Sequence, residues 1–327
     1  MSADRTAAVL EGVRQGRIPA LARAISMVEN QRAGFEDLLA GVHDLVGAAH
    51  RIGMTGPPGA GKSTLTDGMV RAYRERERKV AVVAVDPTSP FSGGALLGDR
   101  VRMESAARDP GVFVRSMATR GAVGGLATTT HEVCDLLDAF GFEEIIIETV
   151  GVGQSELAVA GSADTTILVL VPESGDGIQV LKAGVMEIAD LYVVNKADRP
   201  GAEALAAEVF ELIRIRAEGA GTRASDWMPT VVVTSATRED GVSGLVDAAE
   251  AHATFLRTSG QLEVRRRARL RRHTRDVVER ALRLMVWQDG GGEERLHEGL
   301  ERVVTGVESP YHLARRILEH TLDRDAH

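Results

Sequence analysis

Hydrophobic positions recur along this chain with two different periods, and the changes of period divide it into three segments. Over 1–49 the apolar residues fall three and four apart, at Val9, Leu10 and Val13, then Ile18, Leu21, Ile25 and Val28, then Phe35, Leu38, Leu39 and Val42. That is the spacing of one face of a helix. Over 50–257 short β-branched runs at 51–55, 79–85, 112–115, 144–148, 165–171, 191–195 and 230–234 alternate with helical stretches. Runs so apolar, joined by connections long enough for crossover helices, predict a mostly parallel sheet covered on both faces, an α/β fold. From 258 to 327 the helical period returns: an arginine-rich stretch to Trp287, a Gly290-Gly291-Gly292 break, and two shorter helices. Ser309-Pro310 reads as an N-cap with proline at the first helical position. The expected organisation is an N-terminal helical extension (1–49), an α/β domain (50–257) and a C-terminal helical region (258–327).

Composition narrows the class. The 327 residues are 44% hydrophobic and 26% charged, with 47 acidic against 39 basic side chains and a net charge of −8. Such a chain folds, and its charge argues against general nucleic-acid binding. The single cysteine, Cys134, rules out an intrachain disulfide framework and a multi-cysteine zinc site, and reads as a buried helix residue in a reducing compartment. No apolar stretch approaches the roughly 20 residues of a membrane span, and the N-terminus has no signal-peptide pattern. These features predict a cytoplasmic protein with no membrane partner. Leu262, Leu270, Val277, Leu284 and Trp287 thread the arginine-rich stretch as an apolar stripe. An amphipathic helix is expected there, its stripe packed and its arginines in solvent or paired across a dimer interface.

Among the basic residues, 35 are arginines and only four are lysines, at Lys62, Lys79, Lys182 and Lys196. Lys62 lies in Gly56-Pro57-Pro58-Gly59-Ala60-Gly61-Lys62-Ser63-Thr64, a G-x-x-x-x-G-K-[ST] loop that follows one expected strand and opens a helix. Small residues let backbone N–H groups converge on a phosphate, and the helix N-terminus adds partial positive charge. Lys62 is placed to bridge β- and γ-phosphates, and Ser63 to put its hydroxyl on Mg²⁺.

Lys196 belongs to a second signal. Asn195-Lys196-Ala197-Asp198 ends a later strand, and Ser235-Ala236 ends another. Asp198 can accept both N1–H and the exocyclic amine of guanine, which adenine cannot match. Asn195 would tie this loop to the phosphate loop, the stem of Lys196 would lie over the base, and the Ala236 N–H would meet the guanine oxygen. GTP and GDP are therefore the expected nucleotides, with ATP disfavoured.

Three further stretches give the chain a family resemblance: Glu148 to Glu156 (ETVGVGQSE), Val85 to Pro90 (VDPTSP) and Gly98 to Met103 (GDRVRM). With the two loops above, they resemble the MeaB/ArgK family, G-protein chaperones of adenosylcobalamin-dependent acyl-CoA mutases such as methylmalonyl-CoA mutase. The resemblance covers the α/β segment and the helical leader; the C-terminal helices resemble the family's dimerisation region in general pattern. It implies a P-loop NTPase fold with a SIMIBI-type G domain, a homodimer and a mutase partner. It also implies that Asp86, Asp99 and Glu148 surround the Mg²⁺ alongside Ser63, and that Gly151 sets a backbone N–H on the γ-phosphate. Gln154, three residues beyond Gly151, either orients the attacking water or faces outward. Residues 173–184 resemble the family's additional switch. There Lys182 is available as an activating cation, and Ala183 stands where the family commonly has a second lysine.

The expected activity is Mg²⁺-dependent GTP hydrolysis that gates cofactor loading or protects and reactivates the mutase. No Asp-x-His-x-x-Gly cobalamin motif occurs. Two alternatives stay open: a metabolic kinase of the ArgK type, for which no general base stands out, and a nickel-inserting GTPase, for which no metal-storage tract is present.

Overall fold

The structure, a computed structural model, describes residues 2–86, 109–118, 125–149, 155–172, 187–220 and 226–325. Seven described strands form one sheet: β1 (His50–Thr55), β2 (Val80–Asp86), β3 (Val112–Ala118), β4 (Glu144–Thr149), β5 (Thr165–Leu170), β6 (Leu191–Val194) and β7 (Thr230–Val233). Each matches a β-branched run of the sequence. Their order is β3-β2-β4-β1-β5-β6-β7 and every pairing is parallel. The order reverses around β1, so the crevice at its carboxyl end is where such a sheet receives a ligand.

Helices cover both faces of the inner strands, and β1, β4, β5 and β6 are accordingly buried throughout. Ala81, Val83, Ile145 and Ile147 point to one side, toward α2 (Ile18–Glu29) and α5 (Gly125–Phe140), whose Leu21, Ile25, Val133 and Leu137 are fully buried. Val80, Val82 and Ile146 point to the other, toward α4 (Lys62–Glu75) and α8 (Val242–Thr258) with Leu65, Met69 and Leu245. Each such valine, leucine, isoleucine or methionine contributes about 1.5–3 kcal/mol on burial. Gly68 of α4 faces Val242 of α8, where a Cβ would lie 3.1 Å from Cγ1, so the two helices approach closely.

The N-terminal helices α1 (Ser2–Arg14), α2 and α3 (Phe35–Val42) share the core of the first face. Their exit is fixed by Asp138 of α5, which accepts the backbone N–H groups of Gly47, Ala48 and Ala49 at 2.9, 3.1 and 2.9 Å. Cys134, on the same helix, is fully buried as expected, and burial pushes its thiol up to about 12. Helices α6 (Ser155–Ser162) and α7 (Ala202–Ala220) complete the layer sequence.

The chain divides into two compact units, Met1–Arg269 and Leu270–His327. The division falls inside α9 (Gln261–Leu284), beyond the change of pattern at 257/258. The first half of α9 departs from the sequence expectation. Leu270 is 46% exposed, while Arg269 is buried and its Nη1 donates to Asp164 Oδ1 at 2.9 Å. Arg266 also holds Asp164, and Arg265 forms a two-point contact with Asp190 at 2.8 and 3.0 Å. Two carboxylates at the amino ends of β5 and β6 thus turn the arginine face inward, and these arginines are neither solvated nor held for a partner subunit.

The second unit contains the end of α9, a π-helical turn (Met285–Asp289), α10 (Gly292–Val304) and α11 (Pro310–Asp325). Gly291 takes φ +67° at the glycine break, and Ser309 Oγ caps α11 by accepting the His312 N–H at 3.2 Å. Among the described residues no helix is long and apolar enough to cross a membrane.

Candidate functional site

The phosphate loop connects β1 to α4 by a path that only glycine follows easily. Gly56 has φ +140°, and a Cβ there would lie 2.2 Å from the Val169 carbonyl oxygen of β5. Gly61 has φ +89°, and its Cβ would lie 2.4 Å from Asn195 Nδ2. An L side chain at either position meets both a disfavoured backbone conformation and a filled space.

The loop borders a cavity of about 410 Å³ lined by Pro58, Gly59, Gly61, Lys62, Ser63, Thr64, Glu148, Thr149, Asn195, Lys196, Ala236 and Thr237. Residues from β1–α4, β4, β6 and β7 therefore meet at one end of the sheet, the carboxyl end. Lys62 is only 5% exposed, and its Nζ donates to the Gly56 and Pro57 carbonyls at 2.8 and 3.0 Å. Its charge is thus desolvated yet hydrogen-bonded, and positioned over the loop. Opposite it, Ser63 Oγ donates to Glu148 Oε1 at 2.5 Å. A hydroxyl and a carboxylate converging on the cavity wall are the hard oxygen donors that Mg²⁺ takes. Asp86 ends β2, two residues beyond the Ala84 that pairs with Glu148, at the same end of the sheet.

Asn195 joins the two halves of the cavity. Its Nδ2 donates to the Ala60 carbonyl at 2.8 Å, while Oδ1 accepts the Thr234 hydroxyl at 3.1 Å and the Ala236 N–H at 3.2 Å. The Ala236 N–H, expected to face a guanine oxygen, is directed here at Asn195. Lys196 adopts φ +59° in the turn that follows, and the Arg199 N–H closes that turn on the Lys196 carbonyl at 2.9 Å. Asp198 is exposed. The hydrogen bond from Ser235 Oγ to its Oδ1, at 2.8 Å, comes first among the contacts that hold its carboxyl below the ordinary value.

Asp99, Gly151, Gln154 and Lys182 lie outside the described residues. Thr149, Thr234 and Thr237 were not singled out by sequence reasoning. Thr149 lies inside the Glu148 to Glu156 stretch that carries the family resemblance, and Thr237 directly follows Ala236.

Comparison with known proteins places the chain in a family. The family described as methylmalonyl Co-A mutase-associated GTPase MeaB matches residues 21–290. A putative GTPase of Pyrococcus abyssi is 46% identical over 271 residues, 83% of each chain. A probable GTPase of Mycobacterium tuberculosis is 39% identical over 323 residues, 97% of this chain and 95% of the relative. A solved structure described as a LAO/AO transport system kinase superposes with a TM-score of 0.69 at 27% identity, covering 96% of each chain.

Proposed function

This chain belongs to the MeaB family of methylmalonyl-CoA mutase-associated GTPases and hydrolyses GTP, and from that premise we propose that it is a Mg²⁺-dependent switch serving an adenosylcobalamin-dependent acyl-CoA mutase. The observation that carries the site assignment is the Asn195 to Ala60 hydrogen bond, which sets the candidate base loop and the phosphate loop on one cavity. In this reading residues 56–64 and Gly151 hold the phosphates, with Lys62 as their cation. Asn195, Lys196, Asp198, Ser235 and Ala236 form the guanine side. Ser63, Glu148, Asp86 and Asp99 hold Mg²⁺, which supplies charge neutralisation along the phosphate chain. Gln154 and Lys182 act on hydrolysis.

The output is a change of conformation that gates cofactor loading and protects or reactivates the mutase, with methylmalonyl-CoA mutase as the preferred partner. Segments 1–49, 50–257 and 258–327 act as helical extension, G domain and dimerisation region of a cytoplasmic homodimer. Exposed apolar side chains in the second unit support the last role: Val304, Val307 and Tyr311 are 72%, 68% and 84% exposed. Buried against a second copy, they would contribute where they now contact water.

The test is capture of purified mutase by the chain loaded with GTPγS or with GDP, followed by mutase activity after inactivation. Nucleotide-dependent capture with recovered activity is expected; no capture in either state overturns the chaperone reading. Val304→Asp with Tyr311→Asp is expected to give a monomer by light scattering, and an unchanged mass overturns the dimer assignment.

A further inference from the structure

A line of buried polar side chains crosses the amino end of the sheet, the end away from the nucleotide cavity. Glu144, His50 and Thr165 are the first residues of β4, β1 and β5, His252 lies on α8, and Asp190 directly precedes β6. Glu144 Oε2 is 3.0 Å from His50 Nδ1, His50 Nε2 is 2.7 Å from Thr165 Oγ1, and Thr165 Oγ1 is 2.8 Å from His252 Nδ1. The last step is looser. His252 Nε2 is 3.4 Å from Asp190 Oδ1 and, among the described residues, makes no hydrogen bond.

Four links need four hydrogens, and with both rings neutral the line holds three, one on each imidazole and one on the threonine hydroxyl. A carboxylate only accepts, so the Glu144 link places the His50 hydrogen on Nδ1 and leaves Nε2 as an acceptor. Thr165 then spends its hydrogen on His50 Nε2, and its oxygen accepts from His252 Nδ1. His252 Nε2 keeps a bare lone pair, and its link is the one that is long and unmade. Running the hydrogens the other way would set a bare His50 Nδ1 3.0 Å from the Glu144 carboxylate and give the longer contact the hydrogen, against the order of the distances.

We infer that His50 and His252 are both held as Nδ1–H tautomers, and that His252 Nε2 is the open proton site of the line, a switch on the grip that Asp190 keeps on α9. With Nε2 bare, Asp190 serves Arg265: Oδ1 accepts Nη2 at 2.8 Å, and Oδ2 accepts Nη1 at 3.0 Å and the Thr166 N–H at 2.9 Å. A proton on Nε2 would complete the fourth link by donating to Oδ1, the oxygen that already holds Arg265, and would set a second cation beside the guanidinium. One carboxylate then serves two cations, and the first half of α9 is held less tightly. Burial opposes the proton most; of the charged groups facing His252, Asp190 and Asp164 favour it, and Arg265 and His50, with Glu144 beyond it, stand on the other sides. The proton and Arg265 compete for Asp190 reciprocally, each weakening the other by the same factor.

The test uses the full-length chain with ¹⁵N-labelled histidine. At pH 7.5 the rings of His50 and His252, assigned with His50→Gln and His252→Gln, are expected to show a protonated Nδ1 and a bare Nε2. A hydrogen on His252 Nε2 at that pH overturns the inference. Thr165→Val removes the acceptor that fixes the His252 tautomer, so the His252 hydrogen should move to Nε2, toward Asp190; an unmoved hydrogen is equally fatal. Arg265→Gln removes the competing cation, and the pH at which His252 takes its proton should rise by about one unit, a tenfold gain in proton affinity. Arg267→Gln removes the same charge two residues along α9, where Arg267 pairs with Glu263, and should leave that pH in place. No shift in Arg265→Gln, or equal shifts in the two arginine variants, would show that His252 and Arg265 do not compete and would overturn the switch.

Discussion

Asn195 Nδ2 and the Ala60 carbonyl oxygen, 135 residues apart in the chain, meet at 2.8 Å across the carboxyl end of the sheet. The bond is buried and is one of three made by the same side chain. Asn195→Ala would leave the Ala60 carbonyl, the Thr234 hydroxyl and the Ala236 N–H short of a partner. Each unsatisfied buried group costs about 1–3 kcal/mol, so urea unfolding should show a loss of about 3 kcal/mol or more, with weaker binding of both GTP and GDP. A variant within about 0.5 kcal/mol of the parent would show that the two loops hold their places independently.

Lys62 reaches two loop carbonyls from a nearly closed position. A planar guanidinium is larger than an ammonium and cannot present a compact charge inside the loop. Lys62→Arg keeps the charge, and single-turnover hydrolysis is nevertheless expected to drop about a hundredfold or more, the loss typical of one transition-state donor. Near-normal turnover would mean that the scarcity of lysine in this chain reflects codon usage alone.

Asp198 is held as a carboxylate by the Ser235 hydroxyl, a bond that asparagine can still accept. Asp198→Asn replaces an acceptor facing guanine N1–H and amine with a donor able to meet the xanthine 2-carbonyl. Selectivity should shift from guanosine toward xanthosine triphosphate by at least about a hundredfold, read from kcat/KM with each nucleotide. Unchanged GTP preference would remove Asp198 from the base site.

At the opposite end of the sheet, His252 of α8 is fully buried. Its Nδ1 is 2.8 Å from Thr165 Oγ1, which is 2.7 Å from His50 Nε2. Burial pushes the His252 imidazolium down to about 4, and Asp190 offsets this only in part. The unfolded chain binds this proton below about pH 6.5, whereas the folded chain does so only near 4. Stability should therefore fall as the pH drops from about 6.5 toward 4, by on the order of 3 kcal/mol over the window. Urea midpoints at pH 7.5 and 5 read the effect, and His252→Gln should flatten it; equal slopes in parent and variant would refute the assignment. Asp164 acts in a lower window. Burial raises its carboxyl, but Arg269 and Arg266 outweigh that and hold it well below the usual range. Its contribution is fully present above about pH 4 and is lost on further acidification.

Local pattern alone determined a great deal of this protein. The five inner strands, β1, β2, β4, β5 and β6, follow from β-branched runs because a strand buried on both faces has to be largely apolar, and the edge strands β3 and β7 are β-branched runs of the same kind, partly exposed. The phosphate loop and the N-K-x-D turn are equally legible, because each packs its chemistry into a few consecutive residues with glycines or turn residues at fixed places. Tertiary structure decided what depends on partners distant in sequence. The inward turn of Arg265, Arg266 and Arg269 needs Asp190, 75 residues before Arg265, and Asp164, 105 residues before Arg269. A helical wheel of α9 carries no trace of those carboxylates. Nor does the sequence show that Asn195 reaches the Ala60 carbonyl: only the folded chain brings the ends of β1 and β6 to one cavity. Periodicity reports which face of an element is buried, and the choice of what it is buried against belongs to the fold.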